Sequence, residues 1–422
     1  MKHDTRSFFD VKKLSRQVTT IAGAACLALA GLAVQAEPVT YNVPDLADFS
    51  GPYADIYKQI DLCKKSALKW WNAEVGADMD VQINLKTYDT RYDVAQIASI
   101  WPGILASLKP VASLGVGGPD VAALQERLPD DKVIDFLGTA AYGYAWHDNA
   151  WLFNVRATYA HETAAFLNWY RANKREGSGP MKIGIVSSEA SPAYVDIDKG
   201  VQQFAKDHPD EFEVVGVIYS EIQPIDLTQQ INQLVRKGAE VITIQTNTAM
   251  VVAAERALQA LGKTDIPLFL SSHNGLAESG AAAGGLDQME GNYEGYGYAI
   301  GVADDSPLGR YVQMLRDEYG LTGNLDASCK MGLGQFLVLA RTVENAAKDN
   351  PGKTLVGEDL RNALFAHTIT SDQTFGLLSD LTYSEEAPFP QTGLKINIGT
   401  VKDGKHVLVT NEAEVPEVNK WN

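Results

Sequence analysis

Short runs of β-branched and apolar residues alternate with longer helical patterns along this chain, and the alternation occurs in two separate series. The first series runs from Val39 to Leu137 and the second from Met181 to Leu270, with a polar, glycine-rich segment at Lys174 to Pro180 before the second. Strands that alternate with helices predict parallel sheets covered by helices on both faces. Because the pattern restarts, we expect an α/β fold with two doubly wound lobes and not one wide sheet.

The last third of the chain first continues this alternation and then becomes rich in strand patterns. The predicted helices are Pro307 to Tyr319, Met331 to Asp349 and Leu360 to Phe365, and the predicted strands are Leu377 to Tyr383, Leu394 to Thr400 and His406 to Thr410. In the first series, Val121 to Leu128 is predicted as one helix. No low-complexity linker separates the lobes, so we expect short, strand-like crossings of the kind that make hinges.

The first 36 residues have the pattern of a secretory signal. Five basic residues come before an apolar run from Val18 to Val34, and Val34-Gln35-Ala36 supplies small residues at the cleavage-determining positions. We predict cleavage after Ala36 and a soluble exported protein. The alternative, an uncleaved membrane anchor, is less favoured because the apolar run is at the short limit for a span and is rich in alanine and glycine.

The charge and the cysteines narrow the choice of partners and compartment. The chain has 36 Lys+Arg and 53 Asp+Glu, a formal net charge of −17, which disfavours nucleic acid because phosphate binding needs a basic surface. The predicted mature chain has two cysteines, Cys63 and Cys329. In an oxidising compartment they are a candidate disulfide, and each could equally be a small buried apolar residue.

Motifs for catalysis, metal binding or nucleotide binding are weak. Gly115-Val116-Gly117-Gly118 follows a predicted strand, but it lacks the third glycine at the dinucleotide-binding spacing. The seven histidines are scattered without ligand spacing, and Ser66-Ala67-Leu68-Lys69 has the S-x-x-K spacing only in the middle of a predicted helix. We therefore expect neither an enzyme nor a bound cofactor or metal.

Several short motifs, in order along the chain, resemble those of a known family. They are Phe49-Ser50-Gly51-Pro52-Tyr53, Tyr88-Asp89-Thr90, Leu152-Phe153-Asn154-Val155-Arg156, Met181-Lys182-Ile183-Gly184-Ile185-Val186, Ser271-Ser272-His273-Asn274-Gly275-Leu276, Met289-Glu290-Gly291-Asn292-Tyr293 and Tyr319-Gly320. Their order and spacing resemble the type I periplasmic solute-binding proteins of ABC importers, in the branched-chain amino acid (leucine/isoleucine/valine-binding) class. The resemblance covers essentially all of the predicted mature chain.

This resemblance implies two Rossmann-like lobes, joined by three crossings, that close like a jaw on a small solute. The N-terminal lobe would comprise residues 37–155 and 300–375, and the C-terminal lobe residues 156–299 and 376–422. Binding would stabilise the closed form, which the membrane permease of an ABC importer would recognise. We expect a monomer that binds an amino-acid-like, amide or aromatic solute. The alternative is a periplasmic sensor subunit of the same fold that signals to a membrane receptor.

The resemblance also implies a set of ligand-binding positions in the two lobes. They are Ser50, Tyr53, Gly117, Gly118, Thr139 and Tyr142 in the first lobe, and Tyr194, Thr246, Asn247 and Asn274 in the second. Similar proteins hold a ligand carboxylate at the loop after the third strand through backbone N–H groups and a serine hydroxyl. Here Gly117-Gly118-Pro119 offers only N–H groups, and the nearby Asp120 would repel an anion.

Asn274 is the most informative departure from the family pattern. The amino-acid binders place an acidic residue here to pair with the ligand ammonium, and an amide cannot supply that charge. An ammonium buried without its partner costs several kcal/mol. Our hypothesis is that the ligand is not an ordinary α-amino acid. A neutral amide-type or aromatic solute fits better, as does a carboxylate held by hydroxyls and Arg156, unless Arg156 is a structural residue of the hinge.

Overall fold

The computed structural model describes residues 38–139, 149–385, 389–390 and 393–421. The predicted signal segment and Tyr142 therefore lie outside the described residues. Within the described ranges, no helix combines the length and the apolar character needed to cross a membrane.

The first sheet is built from five short parallel strands. They are β1 (Val39–Ala47), β2 (Val81–Asp89), β3 (Ala112–Gly115), β4 (Ile134–Leu137) and β5 (Leu152–Asn154). Their order across the sheet is β2-β1-β3-β4-β5. All residues of β3, β4 and β5 are buried, as expected for strands covered on both faces by helices.

Four helices accompany these strands in sequence. They are α1 (Ala54–Trp71), α2 (Val94–Leu108), α3 (Gly118–Leu124) and α4 (Leu128–Asp131). Asp93 caps α2, because its carboxylate accepts the N–H of Gln96 at 2.6 Å. A π-helical turn, Asn72–Gly76, continues α1 towards β2.

The second sheet has seven strands, in the order β12-β11-β10-β9-β8-β6-β7. These strands are β6 (Met181–Ser187), β7 (Phe212–Tyr219), β8 (Val241–Ile244), β9 (Leu268–Leu270), β10 (Tyr293–Tyr296), β11 (Lys395–Lys402) and β12 (Lys405–Glu414). Its helices are α5 (Tyr159–Asn173), α6 (Pro192–Asp207), α7 (Thr228–Arg236), α8 (Thr248–Leu261) and α9 (Leu276–Ala283). Strands β6 to β10 pair in parallel, and β11 pairs antiparallel with both β10 and β12.

The chain passes between the two sheets three times. Residues 155–158 lead from β5 to α5, which packs on α6 and β10. Residues 297–306 lead back to α10 (Pro307–Glu318), and α11 (Ala327–Asp349) then packs along α1. After α12 (Gly357–Ala366), residues 367–394 return to β11. The predicted fold class, with two α/β lobes and three crossings, is confirmed.

Two secondary-structure predictions were wrong. Residues 377–383 form no strand, because only Leu381 pairs, as an isolated bridge to Ile369; their apolar side chains are buried in a loop instead. The helix predicted at 121–128 is two helices, α3 and α4, separated by a turn, and Pro129 lies in the first turn of α4, where its missing N–H is tolerated.

Cys63 and Cys329 form a disulfide that joins α1 to α11. Their Cα atoms are 5.3 Å apart, and both side chains are fully buried where the two helices pack. The bond closes a loop with a sequence separation of 266 residues. A cross-link over such a long loop removes many conformations from the unfolded chain.

We expect replacement of both cysteines by alanine to lower the free energy of unfolding by about 2–5 kcal/mol, because the unfolded chain regains that freedom. Urea denaturation, followed by circular dichroism, measures this difference. Reduced wild-type protein is the matched control and should unfold close to the variant. Equal stability of the oxidised wild type and the double variant would contradict the prediction.

Candidate functional site

The two lobes contact each other at the loops that follow the carboxyl ends of their parallel strands. Tyr53, at the start of α1, shares a short hydrogen bond between phenol groups with Tyr194 in the first turn of α6. Nearby, the Thr248 hydroxyl at the start of α8 donates to the Asp55 carboxylate at 2.8 Å. In open α/β sheets, this edge is where ligands bind.

Aromatic rings line the contact between the lobes. The Tyr53 ring packs edge-on against Tyr92, with centroids 4.9 Å apart, and against His273 at 5.9 Å. On its other side, His273 packs against Tyr159 at 4.6 Å. Burial, with a smaller effect of the Arg156 charge, lowers the pKa of His273 to about 3. At neutral pH this imidazole is therefore uncharged.

The loop between β3 and α3 approaches the second lobe very closely. A Cβ placed on Gly118 would lie 2.5 Å from the Ala193 Cβ and 2.8 Å from the Ser191 Oγ. A Cβ on Gly117 would lie 2.2 Å from the Thr139 Oγ1. Glycine at these two positions allows the loop to contact both Thr139 and the start of α6.

Asp120 holds the backbone of this same loop. One of its carboxyl oxygens accepts the N–H groups of Val116 and Gly117, each at 2.8 Å. Burial, together with repulsion from Asp135, raises the pKa of Asp120 to about 8. Burial also raises the pKa of Asp135 to about 7, although the Ser113 hydroxyl donates to it. The loop N–H groups are thus occupied by a side chain of the protein itself.

Three consecutive residues after β8 have buried polar atoms without a hydrogen-bond partner in the described part of the chain. They are both amide atoms of Gln245, the Thr246 Oγ1 and the Asn247 Nδ2. The Thr139 Oγ1 of the first lobe is unpartnered as well. The Asn247 Oδ1, in contrast, caps α8 by accepting the Met250 N–H at 3.1 Å. Because an unpaired buried polar group costs about 1–3 kcal/mol, such a cluster is typical of a ligand site.

Asn274 and Ser50, which were predicted to bind a ligand, use their side chains to link neighbouring segments of the chain. The Asn274 oxygen accepts the Ser271 N–H at 2.8 Å, and its Nδ2 donates to the Ile244 carbonyl at 3.0 Å. Asn274 therefore ties the end of β9 to the end of β8. The Ser50 hydroxyl is exposed and donates to Asp89 at 2.7 Å.

Arg156, on the first crossing, is buried beside the same site. Its guanidinium forms an ion pair with Glu162 of α5 and donates to the Ser272 hydroxyl. It also lies over the rings of Tyr159 and Tyr298, 4.8 and 4.9 Å from their centroids. Burial by itself would lower the pKa of Arg156, but the Glu162 carboxylate raises it, so the guanidinium stays charged and paired.

The chain, with its two-lobed fold, was compared with models of known protein families. Residues 40–386 match the model of a family described as periplasmic binding protein. The chain belongs to the periplasmic binding protein family. A comparison with curated proteins gave no match.

Solved structures of ABC transporter proteins share the fold of this chain. A branched-chain amino acid ABC transporter protein from Thermus thermophilus, solved with bound valine, is 16% identical, with a TM-score of 0.75 over 89% of this chain and 96% of that one. A fatty acid ABC transporter substrate-binding protein from Thermomonospora curvata is 18% identical, with a TM-score of 0.75 over 90% and 93%. A solute-binding protein from Rhodopseudomonas palustris HaA2, in complex with p-hydroxybenzoic acid, is 16% identical, with a TM-score of 0.69 over 90% and 98%.

The structure of this periplasmic binding protein brings most of the predicted ligand positions to one place. Among the described residues these are Tyr53, Gly117, Gly118, Thr139, Tyr194, Thr246 and Asn247. Sequence reasoning missed Gln245, Tyr92 and His273. His273 lies within the motif at residues 271–276, and Gln245 directly precedes Thr246 at the strand end. The sequence pattern could therefore have indicated both positions.

Replacing Gly118 by alanine should prevent the lobe contact seen here, because the new Cβ would overlap Ala193. We expect a larger radius of gyration by small-angle X-ray scattering than for the wild type. Gly103→Ala is the matched control, since a Cβ on this exposed residue of α2 meets no atom within 4 Å. An unchanged radius in Gly118→Ala would show that the contact is not close-packed in solution.

The stability of the protein should depend on the carboxyl pair below the loop. The pKa values of Asp120 and Asp135 are raised above about 4, their value in an unfolded chain, so the folded state holds protons that the unfolded state releases between about pH 4 and pH 8. Stability contributed by these protons is present at low pH and is lost as the pH rises through this range.

Between pH 5 and pH 8, the free energy of unfolding should fall less for Asp135→Asn than for the wild type, with a difference on the order of 2 kcal/mol. The reason is that the substitution removes both the titration of Asp135 and its repulsion of Asp120. Urea unfolding at each pH measures this difference. Asp210→Asn, at an exposed position, is the control and should retain the wild-type slope. A slope for Asp135→Asn as steep as that of the wild type would refute the prediction.

Proposed function

We propose that this protein is the solute-binding subunit of an ABC importer, which captures a small organic solute between its lobes and delivers it to a membrane permease. The observation that carries the proposal is the cluster of unpartnered, buried polar atoms from both lobes, at Thr139 and at Gln245 to Asn247. His273, which hydrogen-bonds the backbone of Gln245 and Thr246, packs against Tyr53, and Tyr53 bonds Tyr194 of the other lobe. A solute that supplied the missing hydrogen bonds would favour this arrangement.

Several further assignments belong to this proposal. The N-terminal lobe comprises residues 37–155 and 300–375, and the C-terminal lobe residues 156–299 and 376–422; the packing of α11 on α1 supports this division. The leader is a signal peptide cleaved after Ala36, the mature protein acts in the periplasm, and it acts as a monomer. The disulfide between Cys63 and Cys329 suits that oxidising compartment.

The ligand contacts are proposed to come from Tyr53, Thr139, Tyr194, Thr246 and Asn247. Gly117 and Gly118 are proposed to let the loop approach these residues closely and not to bind through their N–H groups, because the Gly117 N–H already donates to Asp120. Asn274 and Ser50 are proposed to hold neighbouring loops in place and not to contact the ligand, as their hydrogen bonds within the chain suggest. The ligand is not an ordinary α-amino acid, because position 274 has no carboxylate to pair with an ammonium. Arg156 has a structural role in the hinge, which its ion pair with Glu162 supports.

A thermal-shift screen of amino acids, amides, aromatic acids and short diols tests the function. A solute present at 100 times its Kd should add about 2.7 kcal/mol of stability, because it binds the folded state alone. The same solute should decrease the radius of gyration of the wild type and not that of Gly118→Ala. A screen without any solute that both stabilises the protein and closes it would count against the proposal.

The hypothesis that the ligand is not an ordinary α-amino acid is tested by a separate measurement. We expect isothermal titration with leucine, isoleucine and valine to give no sub-micromolar binding, because the ammonium of each would be buried without a counter-charge. Sub-micromolar binding of any of the three would refute this expectation while upholding the proposed function.

A further inference from the structure

Gln245 is a residue of the cleft with an unusual hydrogen-bond deficit. Its side chain is 2% exposed, and neither its oxygen nor its nitrogen has a partner in the described ranges. A carboxamide can accept up to two hydrogen bonds and donate two, so a buried one without partners carries a large unmet requirement. The residue directly follows β8, at the same strand end as Thr246 and Asn247.

Apart from the Arg156 Nε and the Asp120 Oδ1, the groups of the cleft that lack partners among the described residues are neutral. The unpartnered atoms of Gln245, Thr246, Asn247 and Thr139 are amide and hydroxyl atoms, which offer donors and acceptors without net charge. Such a mixed set matches a ligand group that both donates and accepts, such as a carboxamide or a hydroxyl. A carboxylate only accepts, and an ammonium only donates, so neither satisfies the whole set.

The ionisable groups that border this set are neutralised from within the chain. Arg156 is paired with Glu162, and Asp120 has its carboxyl oxygen on the N–H groups of the Gly117 loop with a pKa raised to about 8. His273, between two tyrosine rings, is uncharged at neutral pH. An ionised ligand group buried beside them would lack a counter-charge and would lose its hydration without compensation.

We propose that the cleft is specific for an uncharged solute with a carboxamide or hydroxyl group, and that Gln245 is the residue that selects this group. The inference rests on the proposed function and specifies its class of substrate. Tyr53, Tyr92 and Tyr159 supply flat apolar surface beside the polar set, so the rest of the solute is aliphatic or aromatic.

Matched compounds that share a carbon skeleton and differ in one terminal group, which is neutral, anionic or cationic, test the substrate class. Isovaleramide, isovalerate and isoamylamine form one triplet, and 4-hydroxybenzamide, 4-hydroxybenzoate and 4-hydroxybenzylamine form another. In isothermal titration of the wild type at pH 7, at least one amide should bind at least about tenfold more tightly than both charged members of its triplet. Binding of a charged member as tightly as its amide would overturn the inference while leaving the proposed function intact.

If no member of either triplet binds, the inference is also overturned. The proposed function is then judged separately, by the thermal-shift screen and by the decrease in the radius of gyration that a bound solute should cause.

A second measurement needs no ligand. Because the Gln245 side chain has no partner to lose among the described residues, Gln245→Leu should leave the free energy of unfolding of the ligand-free protein unchanged or raise it, and Gln245→Met should do the same. Both variants should weaken binding of the preferred amide by at least about tenfold. Gln259→Leu, on the exposed side of α8, is the control for binding. Marked destabilisation by both Gln245 variants would show that this side chain has a structural role and would refute the proposal.

Discussion

The buried guanidinium of Arg156 connects the parts of this protein that must act together. It lies on the first crossing and pairs with Glu162 of α5, which in turn accepts the N–H of Gly297 on the second crossing at 2.8 Å. It also donates to Ser272 after β9. A buried charge needs partners within the protein, so this one side chain links two crossings to the strand end that carries His273.

Parallel sheets explain why the remaining site residues meet. All parallel strands of a lobe end at the same edge, and the loops at these edges of the two lobes contact each other. Residues that are far apart in sequence, such as those after β3 and β4 of one lobe and β8 of the other, can therefore reach one cleft. Polar side chains at these ends either pair within the chain, as Asp120 and Asn274 do, or remain unpartnered, as Gln245 and Thr246 do. Under the proposed function, the unpartnered side chains are the ligand-binding positions and the paired ones are the supporting positions.

Much of the fold could be predicted from the pattern of the sequence. The strand Met181–Ser187 has the bounds that its run of apolar residues predicts, and the repeated alternation predicts two sheets. The pattern was insufficient at residues 377–383, where apolar side chains are buried in a loop; burial alone does not distinguish a strand from a packed loop. Helix α5 was also missed, although Thr158 caps it by accepting the His161 N–H.

By itself, the sequence determined the α/β class, the two lobes and the strand ends at which a ligand could bind, because hydrophobic periodicity and the direction of parallel strands are local or topological properties. Only the tertiary structure decided which side chain at each strand end faces the cleft. The sequence pointed to Asn274 as a ligand-binding residue, yet its amide hydrogen-bonds with Ser271 and Ile244. Among the described residues, it is the Gln245 amide that has no partner on either of its polar atoms. Hydrogen-bond satisfaction depends on neighbours that are distant in sequence, and for that reason it is decided by the folded structure.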